Sequence, residues 1–151
     1  RRVLFRSPIA EVKNNPRITM PIFGNGDINS PEKALEYKNR YGIDGIMVGR
    51  AAIGYPWIFN EIKHYFKTGV NLPQPKIADR VLAAKSHLEW AIEWKGLHVG
   101  IVEMRRHYTN YFKGIPGFKP YRHVLVTSDS ADELYETFNV ITEVYEEFQF
   151  S

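Results

Sequence analysis

The chain of 151 residues contains no cysteine, which excludes disulfides and thiolate metal sites and is typical of a cytoplasmic protein. The five histidines are scattered and show no zinc-ligand spacing, so we expect no bound metal. No apolar run approaches the ~20 residues of a membrane span, and no signal-peptide pattern is present. We therefore expect a soluble protein with no membrane partner.

The chain also has no excess of positive or negative residues once residues 1–7 are left out. That segment, RRVLFRS, resembles the in-frame translation of a common sequencing adapter, and we interpret it as a processing scar. It contains three of the 20 basic residues, and the remaining basic residues equal the 17 acidic ones. The net charge of the chain therefore does not indicate a nucleic acid partner. The hydrophobic fraction of 44% suffices for a core.

Residues 20–52 are typical of one strand–helix–strand unit with a glycine turn after each strand. The segments Pro21–Phe23 and Asp44–Val48 are short, apolar and bounded by turn residues, which predicts two fully buried parallel strands. Ser30, followed by a proline and an acid, predicts the start of a helix. Gly42 predicts its end in a left-handed cap.

The two glycine turns predict a phosphate site. Ligands of α/β barrels and open α/β sheets bind at the carboxyl ends of the strands. The first turn offers Asn25, Gly26 and Asp27, and the second offers Gly49 and Arg50. Glycines let a ligand approach backbone N–H groups, and arginine is a forked, permanent cation suited to a dianion. Any one of these glycines is more typical of a plain tight turn, but the two loops together favour phosphate.

The same residues resemble a known family. GNGDI, followed by GIMVGRAAIGYPWIF, closely resembles the end of the barrel in bacterial tRNA-dihydrouridine synthases. The resemblance starts at about Ile9 and continues through MRRHYTNYFKGIPGF, so it covers nearly the whole chain. It implies an α/β plus all-α fold: the C-terminal part of a TIM (β/α)8 barrel, namely its last βαβ unit, followed by a small helical bundle.

The resemblance also implies the chemistry. In the family, the barrel binds FMN, NADPH reduces it, and the flavin passes hydride to a flipped-out uridine of tRNA while a barrel-loop cysteine protonates the base. The positions that carry over as ligands of the FMN phosphate are Asn25, Gly26, Asp27, Gly49 and Arg50. No catalytic residue is assigned, because the chain has no cysteine. We expect a monomer that is inactive by itself.

One βαβ unit cannot close a barrel, which typically needs eight strands and about 250 residues. We therefore interpret the chain as the C-terminal fragment of a longer protein, whose natural sequence starts at Pro8 within a helix tail (PIAEVKNN). Pro56 to Lys67 predicts the last barrel helix. The expected domains are the barrel end at 8–68, a linker rich in proline and polar residues at 69–76, and a helical tRNA-binding domain at 77–151.

Three apolar stripes at helical spacing predict that helical domain, with a shorter helix at 120–126 and a capping box that opens the last helix at Ser130. The stripes are Ile77, Val81, Ala84, Leu88 and Ala91; Leu97, Ile101, Met104, Tyr108 and Tyr111; and Leu134, Phe138, Ile141, Tyr145 and Phe148.

Basic residues without any acid occur between positions 105 and 123, among aromatic residues, whereas positions 124–151 hold seven acids and no lysine or arginine. Cations that contact phosphates and rings that stack on unpaired bases suit RNA. The competing interpretation is a solvated charged face whose aromatic side chains belong to the core. The candidate RNA-binding residues are Arg105, Arg106, Lys113, Lys119 and Arg122.

Three functions remain open from the sequence. The first is the fragment of a tRNA-dihydrouridine synthase. The second is a stand-alone RNA-binding helical module with a vestigial βαβ unit, which a native start codon near Pro8 would favour. The third is another FMN- or phosphate-binding barrel oxidoreductase that acts on a small molecule, for which the basic helical part has no evident use.

Overall fold

The computed structural model describes Val12 and residues 15–150. The interpreted scar and most of the predicted helix tail lie outside the described residues. The chain forms two compact units. The first contains the described residues up to Ala52 together with Pro56–Leu72, and the second contains Ile53–Tyr55 and the chain from Pro73 onwards.

The first unit contains two short parallel strands, β1 (Phe23–Gly24) and β2 (Gly45–Ile46), with Phe23 opposite Gly45. Asp44 fixes the start of this pair. Its carboxylate accepts a hydrogen bond from the Ile22 N–H (2.9 Å), and its own N–H donates to the Ile22 carbonyl (2.9 Å). A Cβ at position 45 would lie 2.3 Å from the Phe23 ring, so only glycine fits there without a shift.

The expectation of two fully buried strands is wrong. Phe23 is 69% exposed and Met47, just after β2, is 57% exposed. Within residues 15–150 the sheet has only these two strands, so no further strand covers their outer edges. The apolar sequence of both strands is therefore buried only where the helices of the unit pack against it.

Two helices complete the first unit: α1 (Pro31–Tyr41) and α2 (Ile58–Thr68), with a 3₁₀ turn at Arg50–Ala52. The predicted caps of α1 are confirmed, since the Ser30 hydroxyl accepts from the Lys33 N–H (3.2 Å) and Gly42 has a φ of 59°. The second helix begins two residues later than predicted. The core of the unit consists of Ile28, Ala34, Ile43, Ile58 and Ile62.

Four helices form the second unit: α3 (Ile77–Lys95), α4 (Leu97–Tyr111), α5 (Lys119–Thr127) and α6 (Ala131–Val144). Most of the predicted stripes are buried, but Leu97 is exposed because it lies at the first position of α4. The last helix ends at Val144, so Phe148 lies beyond it. Trp90 and Trp94 on α3 are exposed.

Arg80 of α3 is buried, which the sequence pattern did not predict. Its guanidinium donates to the carbonyls of Pro75 (3.2 Å) and Tyr111 (3.1 Å) and to the side-chain oxygen of Gln74 (3.0 Å). It also lies 3.8 Å from the centre of the Phe150 ring. One side chain thus joins the segment before α3, the end of α4 and the last residues of the described chain.

The described helices lack the combination of length and apolar character that a bilayer crossing requires.

Candidate functional site

The loops that follow β1 and β2 lie side by side in the first unit. The Met47 N–H donates to the Gly24 carbonyl (2.9 Å), and the Asn25 amide nitrogen lies 3.9 Å from the Met47 sulfur. Arg50 donates from Nη2 to the carboxylate of Asp27, which joins the second loop to the first. The structure therefore brings the amide-bearing loop and the guanidinium-bearing loop together.

Five main-chain N–H groups in these two loops have no acceptor among the described residues. Within residues 15–150, the N–H groups of Asn25, Gly26, Asp27, Gly49 and Arg50 donate no hydrogen bond to the protein. These residues are exposed or half-buried, so their N–H groups are accessible to solvent or to a ligand. Consecutive free N–H groups beside a cation are the usual components of a phosphate-binding loop.

The backbone of the first loop turns at Asp27 rather than at a glycine. Asp27 has a φ of 49°, a left-handed conformation that aspartate tolerates better than most side chains. Gly26 has another role, because a Cβ there would lie 3.1 Å from the Tyr37 ring of α1. Gly49 has open space where its Cβ would be, which leaves the second loop accessible.

Lys33, in the first turn of α1, is a cation of this site that sequence reasoning missed. Its ammonium donates to the Asp27 carbonyl (2.7 Å) and lies 5.7 Å from the centre of the Tyr37 ring. The only available signal was a lysine six residues after Asp27, at a position where a helix start can direct a side chain back over the preceding loop. That signal is too weak to select one lysine among several.

The donors of this site suit a phosphate monoester, but the Asp27 carboxylate opposes an anion there. The side chains of Arg50 and Asp27 are 83% and 71% exposed, so water screens their ion pair. An anion of higher charge can therefore replace the carboxylate as the partner of Arg50. Until that happens, the Asp27 carboxylate offsets the charge of Arg50. Within the described residues, no cluster of three metal-ligating side chains occurs.

The five candidate RNA-binding residues of the second unit fall into two groups. Arg105 is held within the unit, because its Nη2 donates to the Ser128 carbonyl (3.2 Å) and to the Asp129 carboxylate (2.6 Å), and its side chain is 29% exposed. It therefore ties α4 to the α5–α6 connection.

The other four cations of this group, Arg106, Lys113, Lys119 and Arg122, are exposed. The Arg106 Nε donates to His107 Nε2 (3.1 Å), which places the lone pair of a neutral imidazole on that nitrogen. The expected aromatic core is present in this region: Tyr108, Tyr111 and Phe112 are buried.

Two histidines lie together between α3 and α4. The rings of His87 and His107 are 4.7 Å apart, and His87 Nδ1 is 3.2 Å from the Tyr111 hydroxyl. Burial lowers the pKa of both histidines, and the nearby Arg106 lowers each pKa further. Burial also raises the pKa of the Tyr111 hydroxyl, so for all three side chains burial favours the neutral form.

Comparison with known proteins gives a family match over most of the chain. The family model described as dihydrouridine synthase (Dus) matches residues 6–147. Curated relatives include "Probable tRNA-dihydrouridine synthase 1" of Synechocystis, which is 38% identical over 125 residues and matches 83% of this chain. "tRNA-dihydrouridine synthase B" of Pseudomonas putida is 41% identical over 105 residues, or 70% of this chain.

A third relative, "Probable tRNA-dihydrouridine synthase" of Rickettsia prowazekii, is 38% identical over 105 residues and matches 70% of this chain. The matched regions correspond to 34%, 31% and 32% of the three relatives' own lengths. The chain thus spans about a third of the length of the curated relatives that it matches.

Proposed function

Because the chain belongs to the bacterial tRNA-dihydrouridine synthase family, we propose that it is the C-terminal part of an FMN-dependent enzyme that reduces uridine to 5,6-dihydrouridine in tRNA. The observation that carries this proposal is the pair of adjacent loops with five unpaired N–H groups and Arg50. In the proposed domain arrangement, residues 8–68 end a TIM barrel, residues 69–76 are a linker, and residues 77–151 bind tRNA.

The proposed role of the two loops is to hold the phosphate of FMN. The N–H groups of Asn25, Gly26 and Asp27 would donate to phosphate oxygens from one side, and Gly49 and Arg50 from the other. When bound, FMN supplies the hydride for the uridine ring, with NADPH as the reductant. The loops contribute position only, since their one carboxylate, that of Asp27, is held by Arg50.

The second unit would hold the tRNA while a uridine is flipped out of its stack. The exposed cations Arg106, Lys113, Lys119 and Arg122 would contact the phosphate backbone, which needs charge and reach rather than a fixed geometry. Arg105 was proposed from sequence for the same role, but its bonds to Ser128 and Asp129 support a structural role first. An enzyme whose substrate base must leave a folded RNA needs a separate RNA-binding unit.

The decisive experiment is to extend the gene upstream of Pro8 and express the longer protein. We expect an upstream reading frame with further strand–helix units and a barrel-loop cysteine, and a product that converts uridine in tRNA when FMN and NADPH are supplied. The 151-residue chain, assayed in parallel, should convert none, because no cysteine is available to protonate the base.

The Arg50→Gln variant of the longer protein should copurify with less FMN than the wild type, whereas the matched exposed-arginine variant Arg17→Gln should keep it. A longer protein that carries no flavin and still binds tRNA would refute the enzyme and favour the RNA-binding module. Conversion of uridine by the 151-residue chain alone would refute its assignment as an inactive part.

A further inference from the structure

We propose that Lys33 is a second cation of the phosphate site, held in place by the main-chain carbonyl of Asp27. This inference rests on the proposed phosphate-binding role of the two loops and adds to it a residue that lies outside both of them. The ligand class is a phosphate monoester dianion, as in FMN.

The first argument is geometric. Asp27 is contacted by both cations of the region, because its carboxylate accepts from Arg50 and its carbonyl accepts from Lys33 (2.7 Å). Both cations therefore contact the same residue of the first loop. An ammonium has three N–H donors, and the Asp27 carbonyl occupies one of them, so two remain for a ligand.

The second argument is the charge of the site. The Asp27 carboxylate offsets the charge of Arg50, so without another cation the two loops would be neutral and would attract a dianion only through N–H dipoles. Within residues 15–150 no ion pair involves Lys33. Lys33 therefore supplies the excess positive charge that the loops themselves lack.

The nearest acid on the same helix turn does not cancel this charge. The Glu32 carboxylate accepts a hydrogen bond from the Asn71 side-chain amide (2.5 Å), which also lowers the pKa of Glu32. That hydrogen bond directs the acid toward residue 71, while Lys33 is directed toward residue 27. The two side chains of the first turn thus leave α1 toward different partners.

The third argument is the support beneath Lys33. Its ammonium lies over the Tyr37 ring, and a Cβ at Gly26 would lie in tight contact with the same ring, at 3.1 Å. Tyr37 in turn contacts the Tyr41 ring edge-on at 5.6 Å. One helix face therefore positions both the glycine of the first loop and the proposed cation, which limits the rotamers that Lys33 can adopt.

The test is a titration of the ¹⁵N-labelled 151-residue chain with inorganic phosphate at about pH 8, where phosphate is a dianion. The amide signals of Gly26 and Gly49 report binding, and chloride is adjusted so that ionic strength stays constant. We expect the Lys33→Met variant to bind phosphate about two- to fivefold more weakly than the wild type, because one charge that water screens contributes little. Lys33→Arg should restore most of the affinity.

The matched control is Lys38→Met on the same helix. Lys38 lies over the Phe66 ring (5.0 Å), so the variant removes the same charge from α1 at a different place. We expect wild-type affinity from it. Lys33→Gln serves as a second neutral variant should Lys33→Met alter the amide spectrum as a whole. Dimethyl phosphate, a monoanionic diester like the RNA backbone, should bind more weakly and lose less in Lys33→Met.

The outcomes separate this inference from the proposal on which it rests. If Arg50→Gln loses phosphate binding while Lys33→Met and Lys33→Gln keep wild-type affinity, the role of Lys33 is refuted and the phosphate site stands. If the wild-type chain shows no phosphate-dependent shift at Gly26 or Gly49, both are refuted. If Lys38→Met weakens binding as much as Lys33→Met, the effect is one of total charge and the inference fails.

Discussion

The buried Arg80 should be a major source of stability in the second unit, and Arg80→Met is the change that tests it. Methionine retains a long apolar stem of similar reach but removes the guanidinium and its three hydrogen bonds to Gln74, Pro75 and Tyr111. The Tyr111 carbonyl belongs to a buried residue, so water cannot replace the guanidinium donor there.

The magnitude follows from how many of those acceptors water can reach. A hydrogen bond from a charged donor contributes about 1.5–3 kcal/mol. Gln74 is exposed and Pro75 is half-buried, so water can replace most of those two bonds. We count the Tyr111 bond in full and the other two bonds at a small fraction, and we allow for the removal of a buried charge. The free energy of unfolding should then fall by about 2–3 kcal/mol.

The assay is urea unfolding of the full chain, followed by circular dichroism because the second unit holds most of the helix. Arg122→Met is the matched control, since it removes an exposed arginine from a helix of the same unit, and it should change the free energy of unfolding by less than about 0.5 kcal/mol. A loss in Arg80→Met no larger than in Arg122→Met would refute the reasoning. It would mean that the desolvation of the guanidinium cancels its bonds.

Three further predictions concern the same unit. Burial lowers the pKa values of His87 and His107, so the unfolded chain binds protons more tightly than the folded chain. The free energy of unfolding is therefore highest above the ordinary histidine pKa of about 6.5 and should fall as pH drops through the folded pKa values. Replacing both histidines with glutamine should flatten the dependence of the urea midpoint on pH. Arg122→Ala should lower tRNA affinity and reduce the slope of log K against log salt by about 1. Arg105→Ala should mainly lower the urea midpoint, because Arg105 is bonded within the unit. Equal salt slopes for the two variants would contradict the assignment of Arg122 to tRNA binding and of Arg105 to structure. Gly100→Ala should destabilise the second unit despite a gain of about 1 kcal/mol in helix propensity, because the new Cβ would lie 2.7 Å from the Ile92 nitrogen. A rise in the urea midpoint would contradict this, because it would show that α3 and α4 can move apart to make room.

The local features of the chain were predictable from sequence because they depend on neighbours along the chain. Ser30 and Gly42 bound α1 as predicted, since a cap needs only a hydroxyl within reach or a residue free to adopt a positive φ. The start of the last helix at Ser130 also follows the prediction in part. Its hydroxyl accepts from the Glu133 N–H (3.3 Å), but the Glu133 carboxylate accepts from Ser128 (2.5 Å) rather than closing the capping box.

The features that sequence reasoning missed depend on long-range contacts. Arg80 was assigned no role because an arginine in an amphipathic pattern is usually solvated, and nothing local indicates that three acceptors lie around it. Lys33 was missed for the same reason. The exposure of Phe23 shows the limit of the strand pattern, because an apolar run predicts burial only when neighbouring elements are present to cover it.

The site itself was predictable in its residues but not in its charge balance. Asn25, Gly26 and Gly49 could be proposed from loop chemistry, and the structure places them in adjacent loops, although their role as phosphate ligands stays a prediction. The set of sequence signals that favours a dianion also contains Asp27, whose carboxylate opposes one. Only the structure shows that this carboxylate binds Arg50, since the pairing joins residues 23 positions apart.

The placement of the three tryptophans decides what an optical experiment on this protein can report. Trp90 and Trp94 already face water on α3, so their emission in the native protein resembles that of the unfolded chain. Trp57 is half-buried beside α2, and its emission alone should shift when it is released into solvent. Tryptophan fluorescence therefore follows the melting of the strand-containing unit, while the α3 pair acts as a surface reporter that any molecule docking on that helix would quench.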